Sequence, residues 1–353
     1  MDELAISVEN RITNFAMKTV ALTQYLPISD PHSLMDVELP RPTAQGRDLL
    51  VKIHAVSVNP VDCKVRSPKP KVESSPKILG WDAAGIVDSV GPEVRLFKAG
   101  DEVYYAGSIT RPGSNAEFQL VDERLVGHKP KNLSFAEAAA MPLTLLTAWE
   151  SLFVRIGIDR SADNHSKSLL IIGGAGGVGS IAIQLAKLAG LTVIATASRP
   201  ETQVWVKKMG ADQVIDHRQP LPGQLAALGH KEVDYIANFN NTDTYWAVMA
   251  ELIRPQGHIV CIVENAKPIE LGLLKSKSAS CSWTFMFTRS MFQTPDMGEQ
   301  GWILNEAAKL FEAGKVQTTL TETFSPINAA SMRKAHAQSE SGKTIGKLVV
   351  AGW

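Results

Sequence analysis

Residues 169–199 read LLIIGGAGGVGSIAIQLAKLAGLTVIATASR, and this stretch decides the fold. Its first four residues, 169–172, are apolar and fit a strand that is buried on both faces. A glycine-rich turn follows, after which apolar residues recur at helical spacing until Gly190 provides a stop. Residues 191–195 are again apolar and fit a second strand. The stretch therefore predicts a strand, a turn, a helix and a strand in succession.

The glycines of this turn match the pattern G-x-G-x-x-G at the place where a dinucleotide-binding fold requires it. One glycine permits the tight turn, one lets the backbone approach a pyrophosphate, and one lets the helix pack on the strand. The N-terminus of the helix then favours the anionic phosphates. The predicted phosphate-binding residues are Gly174, Gly176, Gly177, Val178 and Gly179. The pattern predicts an α/β fold with a Rossmann-type doubly wound parallel sheet.

The end of the second predicted strand indicates which dinucleotide binds. An NAD site carries Asp or Glu about 20 residues beyond the glycines, whereas an NADP site has hydroxyl and cationic groups for the 2′-phosphate. Ser198 and Arg199 stand here, so NADPH is the predicted cofactor. Two alternatives stay open. Glu201 would supply a carboxylate if the strand ended two residues later, and Arg199 would then be an ordinary solvated surface charge.

The composition limits the classes of partner. The 353 residues suffice for two domains; 44% are hydrophobic, 20% are charged, and the formal net charge is +0. Neither nucleic acid nor a membrane surface is therefore expected as a partner. Cys63, Cys261 and Cys281 are odd in number and far apart, which argues against a disulfide framework and favours a reducing, cytoplasmic compartment. Residues 1–16 lack the apolar core of a secretory signal and are interpreted as a peripheral N-terminal extension.

The rest of the chain divides into a β-rich part and further strands of a parallel sheet. Residues 49–58 alternate in the manner of a strand. In residues 78–104, short apolar strands alternate with glycine turns, a pattern typical of a small β-barrel. Apolar strands are also predicted at 233–239 and 258–263, where the parallel sheet would continue.

The motifs of this chain resemble those of the medium-chain dehydrogenases/reductases. Residues 80–85 (GWDAAG), with 90–91 (VG) and 100–103 (GDEV), are similar to the N-terminal signature of that family, and the glycine turn at 174–179 is similar to its cofactor turn. The resemblance covers residues 17–353. It is closest to the zinc-lacking quinone oxidoreductase branch, in the subgroup called zinc-type alcohol dehydrogenase-like.

The resemblance implies a division into domains and an oligomeric state. A GroES-like β-barrel catalytic domain is expected over residues 17–144 and 288–353, and a Rossmann NADPH-binding domain over residues 145–287. Because this branch commonly extends the sheet of its cofactor domain across an interface, a homodimer is expected.

The resemblance also indicates where a catalytic zinc ion would have its ligands. Zinc-dependent relatives have Cys at the position of Asn59 and Gly-His-Glu at residues 80–82, so both ligand positions are lost here. An amide and an indole cannot replace a thiolate and an imidazole. The structural zinc lobe of many relatives is also missing, because residues 101–125 contain no cysteine. No metal is therefore expected.

Without zinc, the predicted reaction is reduction of an acceptor that is already polarised. A quinone or an α,β-unsaturated carbonyl takes up hydride while its oxygen becomes negative, and that oxygen needs only a hydrogen-bond donor. Three rival interpretations stay open. They are a reductase of aldehydes or enoyl thioesters, an alcohol or aldehyde dehydrogenase with or without zinc, and a protein that binds NADPH without turnover.

The predicted catalytic residues are Asn59, Asp62 and Tyr104. By resemblance, Asn59 and Asp62 lie beside the nicotinamide and the acceptor. Asn59 would donate to the developing oxygen anion, and Asp62 would orient neighbours such as Lys64 and Arg66. Tyr104 is a further candidate donor. The alternatives are a turn cap for Asp62, core packing for Tyr104 and water as the proton source.

Further cofactor and acceptor contacts are expected at other strand ends, because open α/β sheets bind their ligands there. By resemblance, His217 takes the place of a tyrosine on the adenosine, Thr147 lies near the nicotinamide, and Lys343 approaches the 2′-phosphate unless it is a solvated lysine. Phe285 and Phe287 would form the apolar wall of the acceptor pocket, or else part of a core or dimer interface. The remaining predicted cofactor residues are Asn238, Phe239 and Val263.

Overall fold

The structure is a computed structural model that describes residues 16–353. The predicted N-terminal extension therefore lies, except for Ala16, outside the described residues. The described chain forms two compact units. The antiparallel unit comprises residues 16–143, 287–313 and 320–353, and the parallel unit comprises residues 144–286 and 314–319.

Residues 144, 287 and 314–319 belong to a different unit from the one that the sequence predicts. Residues 314–319 were expected within the β-barrel domain, whereas they group with the parallel unit. The reason is a pair of hydrogen bonds in which the Gln317 N–H donates to Gln184 Oε1 at 2.8 Å and Gln184 Nε2 donates to the Gln317 carbonyl at 3.2 Å. The segment is therefore held by a helix of the parallel unit.

The elements of residues 16–353 are numbered here in chain order. The strands are β1 (Ala16–Tyr25), β2 (Met35–Pro40), β3 (Asp48–Val58), β4 (Lys69–Ile78), β5 (Asp82–Val90), β6 (Glu102–Tyr105), β7 (Phe118–Asp122), β8 (Val126–His128), β9 (Ser168–Ile172), β10 (Thr192–Thr196), β11 (Gln213–Ile215), β12 (Val233–Asn238), β13 (Ile253–Cys261), β14 (Ser280–Trp283), β15 (Leu320–Phe324) and β16 (Lys347–Ala351).

The α-helices are numbered in the same way. They are α1 (Pro60–Arg66), α2 (Phe135–Ala139), α3 (Pro142–Trp149), α4 (Gly177–Leu188), α5 (Pro200–Lys208), α6 (Leu221–Ala227), α7 (Thr242–Leu252), α8 (Thr288–Phe292), α9 (Glu299–Glu312) and α10 (Ala329–Glu340). Short 3₁₀ helices span Glu123–Leu125 and Leu271–Lys277, and a π-helical segment spans Glu150–Arg155. Within the described chain, no helix combines the length and the apolar character that crossing a membrane requires.

The antiparallel unit contains two sheets. The larger has the strand order β15-β16-β3-β5-β6-β8, with β7 also paired to β3, and the smaller has the order β2-β1-β4. In the larger sheet β3 pairs antiparallel with both β5 and β16, so that Ser57 lies opposite Asp82 and Val58 lies opposite Leu348. The end of β3 and the beginnings of β5 and β16 therefore meet at one edge of the sheet.

The parallel unit is built on one six-stranded sheet. Its order is β11-β10-β9-β12-β13-β14, and every neighbouring pair is parallel. Counted from the first strand of the unit, this is the order 3-2-1-4-5-6 of doubly wound dinucleotide-binding sheets. Every residue of the central strand β9 is buried, as the run of apolar residues predicts. Together with the antiparallel unit, this sheet confirms the predicted fold class.

Helix α4 is buried on all sides along its middle, over residues 179–186. Ile181, Ile183 and Leu185 are buried, and each buried aliphatic side chain contributes roughly 1.5–3 kcal/mol to stability. The helix ends at Leu188, and Gly190 follows with a φ of 85°, a left-handed conformation that favours glycine. The predicted stop is therefore confirmed.

Candidate functional site

The glycine turn between β9 and α4 is shaped by close backbone approaches. Gly173 has a φ of 86°, and a Cβ at Gly179 would lie 2.3 Å from the carbonyl oxygen of Gly173. Gly176 is the N-cap of α4, and a Cβ there would meet nothing in the protein closer than 3.6 Å. Gly179 thus serves the protein's own packing, whereas Gly176 leaves space for a ligand at the helix N-terminus.

The turn lies at the point where the strand order of the sheet reverses, between β9 and β12. The Phe239 N–H donates to the Ile172 carbonyl at 2.9 Å, which holds the chain after β12 beside the glycine turn. Asn238 is fully buried there, and its side-chain oxygen accepts the Asn240 N–H at 3.1 Å. Val263 lies just beyond β13, where its carbonyl accepts the Thr242 hydroxyl at 2.5 Å. These predicted residues occupy the edge where such sheets bind ligands.

The end of β10 carries cationic side chains and no carboxylate of its own. The strand ends at Thr196, so Ser198 and Arg199 follow it directly, and Arg199 is the N-cap of α5. Glu201 lies in the first turn of α5, where its carboxylate is 3.4 Å from Arg199 Nε. The alternative in which the strand ends two residues later is therefore wrong.

A second arginine, which the sequence analysis missed, reaches the same place. The Arg218 guanidinium donates to the Ser198 carbonyl and pairs with Asp216 at 2.8 Å, while 61% of its side chain is exposed. Arg218 follows β11, the neighbour of β10 in the sheet. It was missed because only His217 was considered at this strand end. Arg199 and Arg218 together bring two guanidinium groups to the end of β10, each with an acidic partner, Glu201 and Asp216.

The remaining predicted cofactor residues differ in how accessible they are. His217 is half-buried, burial lowers its pKa, and its Nδ1 has no hydrogen-bond partner in residues 16–353. Thr147 lies buried in α3, within the parallel unit. Lys343 is an exposed residue after α10 in the antiparallel unit, and its backbone N–H donates to Ser341 Oγ at 3.2 Å. A role of Lys343 at the 2′-phosphate stays a prediction.

The antiparallel unit contains a buried polar cluster at the sheet edge described above. Its members, hereafter the polar cluster, are Asn59, Asp62, Asp82 and Lys347, each at most 3% exposed. Asn59 Nδ2 donates to Asp82 Oδ2 at 2.7 Å, and the Lys347 ammonium donates to Asn59 Oδ1. The same ammonium donates to Asp82 Oδ2 at 3.2 Å and to the Val58 carbonyl at 3.1 Å. Asp82 Oδ1 also accepts the Leu143 N–H at 2.7 Å.

Asp62 joins the polar cluster through the backbone. Its Oδ2 accepts the Asn59 N–H at 2.6 Å, so the carboxyl group fixes the start of α1 and with it the position of Asn59. Its Oδ1 has no hydrogen-bond partner in the part of the chain that the structure describes. Burial raises the pKa of Asp62 to about 7, while the Asn59 N–H and the Lys347 charge oppose that rise. The prediction that Asp62 orients Arg66 is wrong, because Arg66 pairs with Glu340 instead.

Asp82 and Lys347 form a buried ion pair. Burial raises the pKa of Asp82 and lowers the pKa of Lys347, and the attraction between the two charges opposes both shifts. The hydrogen bonds decide the charge state. Asp82 accepts from three donors and Lys347 donates to three acceptors, an arrangement that favours the ionised form of each.

The residues of the polar cluster do not fit a zinc ion. Zinc requires thiolate, imidazole or carboxylate ligands, and at the first two expected positions the chain has the amide of Asn59 and the indole of Trp81. Asp82, the one acid at these positions, already binds the Lys347 ammonium. Among residues 16–353, no three His, Cys, Asp or Glu side chains are grouped so that they could hold a metal ion.

Trp81 is a buried hydrogen-bond donor next to the polar cluster in the chain. Its ring is 1% exposed and packs edge-on against Phe287, with 6.1 Å between the ring centroids. Its Nε1–H has no partner in the described chain. A buried donor without a partner costs about 1–3 kcal/mol, so the Trp81 Nε1–H has the capacity to donate to a further acceptor.

Tyr104 has a structural hydrogen-bond partner, and the two phenylalanines belong to different units. Tyr104 is fully buried, and its hydroxyl donates to the Leu304 carbonyl of α9 at 2.6 Å. Its proton is therefore committed to a structural bond, and burial raises its pKa further, so its predicted role as proton donor has no support. Phe287 is buried against Trp81 in the antiparallel unit, whereas Phe285 lies 43% exposed in the parallel unit.

Two members of the polar cluster were not predicted as functional residues. From the sequence alone, Asp82 is named only within the Gly-Trp-Asp segment, and of Lys343 and Lys347 only Lys343 is proposed. A signal for Lys347 exists in the sequence. It is the single charge in the strand KLVVA, whose first four residues are buried. A lysine inside such a strand requires buried acceptors.

Comparisons with known proteins extend over almost the whole chain. Residues 45–148 match the family described as the alcohol dehydrogenase GroES-like domain, and residues 209–350 match the family described as zinc-binding dehydrogenase. A zinc-type alcohol dehydrogenase-like protein of Staphylococcus aureus strain MSSA476 is 44% identical over 95% of this chain and 99% of its own length.

Two further relatives carry names of different activities. The 2-methylene-furan-3-one reductase of Solanum lycopersicum is 32% identical over 88% of this chain and 73% of its own length. A crystal structure from Rhizobium etli CFN 42, whose name assigns it provisionally to the zinc-dependent alcohol dehydrogenases, is 52% identical with a TM-score of 0.91. That similarity covers 96% of this chain and 99% of the other.

Proposed function

The chain is an oxidoreductase of the medium-chain dehydrogenase/reductase superfamily, and we propose that it reduces quinones or α,β-unsaturated carbonyl compounds with hydride from NADPH and without zinc. The observation that carries this proposal is the polar cluster, in which the Asn59 amide stands at an expected metal-ligand position and a lysine ammonium binds its oxygen and Asp82. The similarity to an enone reductase of tomato supports the choice of acceptor.

The cofactor supplies the hydride when it is bound, and the residues of the glycine turn fit it. Gly176 leaves space at the N-terminus of α4, where backbone N–H groups and the helix dipole favour a pyrophosphate. Arg199 and Arg218 lie at the end of β10, where the 2′-phosphate of NADPH would bind. Their two positive charges favour NADPH over NADH.

The contribution of the antiparallel unit would be to donate hydrogen bonds to the acceptor oxygen as its negative charge develops. Asn59 has two amide hydrogens. One is held by Asp82 at 2.7 Å, and the other is directed at the Ser57 carbonyl at 3.5 Å, beyond the usual range for a good hydrogen bond. This second hydrogen and the Trp81 Nε1–H are the two donors that the acceptor can use.

The experiment that tests the function is an acceptor survey with chelator-treated protein. NADPH absorbance is followed with a simple quinone, an enone and an aldehyde, and NADP with a primary alcohol is the reverse couple. We expect oxidation of NADPH with the quinone or the enone, at a rate that EDTA does not change. NADH serves as the control for cofactor choice.

One alternative activity has specific support. The names of the bacterial relatives point to zinc-dependent alcohol oxidation. Turnover of the alcohol alone, and only after zinc is restored, would replace our proposal with that alternative. Tight NADPH binding without turnover of any acceptor would instead support a non-catalytic binding protein.

We also propose a cytoplasmic homodimer that forms through the outer strand β14. This strand lies at the end of the sheet in the described chain, and Trp283 on it is 44% exposed. An exposed strand edge with an apolar residue is a surface at which a second copy can pair. Light scattering should give the mass of a dimer for the wild type and the mass of a monomer for Trp283→Lys.

A further inference from the structure

We propose that Lys347 is an internal cation that takes the place of a catalytic metal ion, balancing the charge of Asp82 and polarising Asn59. Lys347 is thus a positioning residue, because it acts on the acceptor only through Asn59. This inference rests on the proposed zinc-free reductase and adds the group that makes zinc unnecessary.

The position of Lys347 is fixed by the sheet. Strand β16 begins at Lys347, and the next residue, Leu348, lies opposite Val58 in β3. The ammonium therefore reaches the Val58 carbonyl, Asn59 Oδ1 and Asp82 Oδ2, which use its three hydrogens. A lysine ammonium that is 97% buried with three acceptors is a built site rather than a solvated charge.

The charge of Lys347 is required because Asp82 is fully buried. An ionised carboxylate without a counter-charge is strongly destabilised in a protein interior. Asp82 is bound by the Asn59 amide, the Leu143 N–H and the Lys347 ammonium, and only the ammonium carries a positive charge. A zinc ion placed here would face this ammonium across the same carboxylate, so the lysine also opposes metal binding.

The ammonium also alters Asn59 as a hydrogen-bond donor. It donates to Asn59 Oδ1 and so draws electron density from the amide toward the oxygen. The hydrogens on Nδ2 become more positive, and a bond from one of them to a developing oxygen anion becomes stronger. A metal ion in a zinc enzyme stabilises the same negative charge directly. In this chain the positive charge acts through one amide group.

A second buried lysine offers a matched control. Lys129 is 8% exposed, and its ammonium donates to the Pro130 carbonyl at 3.1 Å and to the Leu133 carbonyl at 2.6 Å. It also pairs with Glu102 at 3.1 Å. Lys129 belongs to the same unit but has no contact with Asn59 or Asp82 among these bonds. Its substitution removes a buried ammonium without touching the polar cluster.

The first experiment uses chemical rescue. Lys347→Ala should lower kcat with the quinone or enone by up to about 100-fold, the cost of losing one oxygen-anion donor, because Asn59 would then be neither held nor polarised. The KM for NADPH should stay within about twofold, because the residues of the glycine turn are unchanged. Propylammonium or butylammonium should restore part of the activity in a saturable way. Lys129→Ala should keep its kcat and show no rescue.

A second measurement does not depend on turnover. The same alkylammonium ions should raise the Tm of Lys347→Ala by binding in the space that the side chain leaves, and they should not raise the Tm of the wild type or of Lys129→Ala. If the wild type oxidises no NADPH, the proposed reductase function fails, whereas stabilisation of Lys347→Ala by the amine still supports the internal cation. An absence of stabilisation would overturn it.

A charge-neutral double variant separates chemistry from folding if Lys347→Ala does not fold. Lys347→Met with Asp82→Asn removes both charges and keeps similar volumes, so stability should return to near that of the wild type. Because no cation then polarises Asn59, kcat should stay about 100-fold low. Full recovery of kcat together with stability would show that Lys347 has only a structural role, and would overturn the proposal.

Discussion

The glycine turn of the parallel unit and the polar cluster of the antiparallel unit are built in opposite ways. The turn uses contiguous residues, and at Gly176 it leaves space that no side chain fills. The polar cluster uses residues 59, 62, 82 and 347, and most of their side-chain polar atoms are bonded within the cluster. The open space at the turn is suited to binding a phosphate. The polar cluster is suited to stabilising charge on an acceptor, because its own charged groups are fixed in place.

The largest expected effect concerns the turn. Gly179→Ala places a Cβ 2.3 Å from the Gly173 carbonyl oxygen, so we expect the free energy of unfolding to fall by about 3 kcal/mol or more. Gly176→Ala has room in the protein and a φ of −73°, so it should lose only about 0.5–1 kcal/mol, the cost of a poorer helix N-cap. Denaturant unfolding measures both.

The same pair of variants tests the space that the turn reserves for a ligand. Gly176→Ala should raise the Kd for NADPH at least about tenfold, because the added methyl group occupies the space expected for a phosphate. Titration calorimetry gives this value in the absence of any acceptor. Unchanged NADPH affinity in Gly176→Ala would show that the turn does not bind the phosphates.

An effect of similar size concerns the charge of the polar cluster. Because the pKa of Asp62 rises from an ordinary value near 3.8 to about 7, the folded state holds this proton more tightly than the unfolded state. The stability that Asp62 contributes is therefore highest below pH 3.8, falls as the pH rises to about 7, and is constant above that. Lys347 and Asp82 are the charged groups that face it.

Asp62→Asn removes this titration and keeps a group that can accept the Asn59 N–H. The difference in unfolding free energy between the wild type and Asp62→Asn should change on the order of 4 kcal/mol across this pH range. Asp82 interacts with Asp62, so Asp82→Asn is compared with the Asp62→Asn, Asp82→Asn double variant as a second difference. Parallel stability curves for the two proteins would contradict the assignment.

A smaller effect is expected at the cationic end of β10. Arg199→Ala and Arg218→Ala should each raise the KM for NADPH about tenfold to a hundredfold and leave the KM for NADH nearly unchanged. Arg254, which pairs with Asp234 at 3.0 Å in the same unit, provides the control arginine. Equal effects on NADPH and NADH would remove the argument for a 2′-phosphate site.

The smallest effect is expected for the unpaired donor of Trp81. Trp81→Phe should lower kcat/KM for the acceptor about tenfold without loss of stability, because the missing N–H has no partner in the protein. Trp246→Phe is the contrast, since Trp246 Nε1 donates to the Glu270 carbonyl at 3.1 Å. It should lose about 1 kcal/mol of stability and keep its kcat/KM. The reverse pattern would exclude Trp81 as a donor.

The same comparison explains how much the sequence predicts. The glycine turn could be predicted because its residues are contiguous and their spacing follows from backbone geometry, and α4 begins at Gly177 within the expected stretch. The side chains that follow β10 were also predicted, since a strand end is defined locally. Arg218 was not, because its approach to Ser198 depends on the pairing of β11 with β10.

The polar cluster could be predicted only in part. Asn59 and Asp62 lie in one turn, so a local sequence motif predicts that they act together. Their partners Asp82 and Lys347 are brought close by the pairing of β3 with β5 and β16. These residues are far from Asn59 in the sequence, so no local pattern predicts the contacts. Tyr104 shows the converse error. A candidate donor by residue type proved to be bonded to Leu304, which only the packing of α9 reveals.

The measurement that tests the central claim most directly is the dependence of turnover on bound zinc. Samples of the wild type with zinc contents from none to one per chain are assayed for NADPH oxidation with the best quinone or enone. Because the Lys347 ammonium already occupies the cation position, kcat should be the same in every sample. A kcat that rises in proportion to bound zinc would contradict the account.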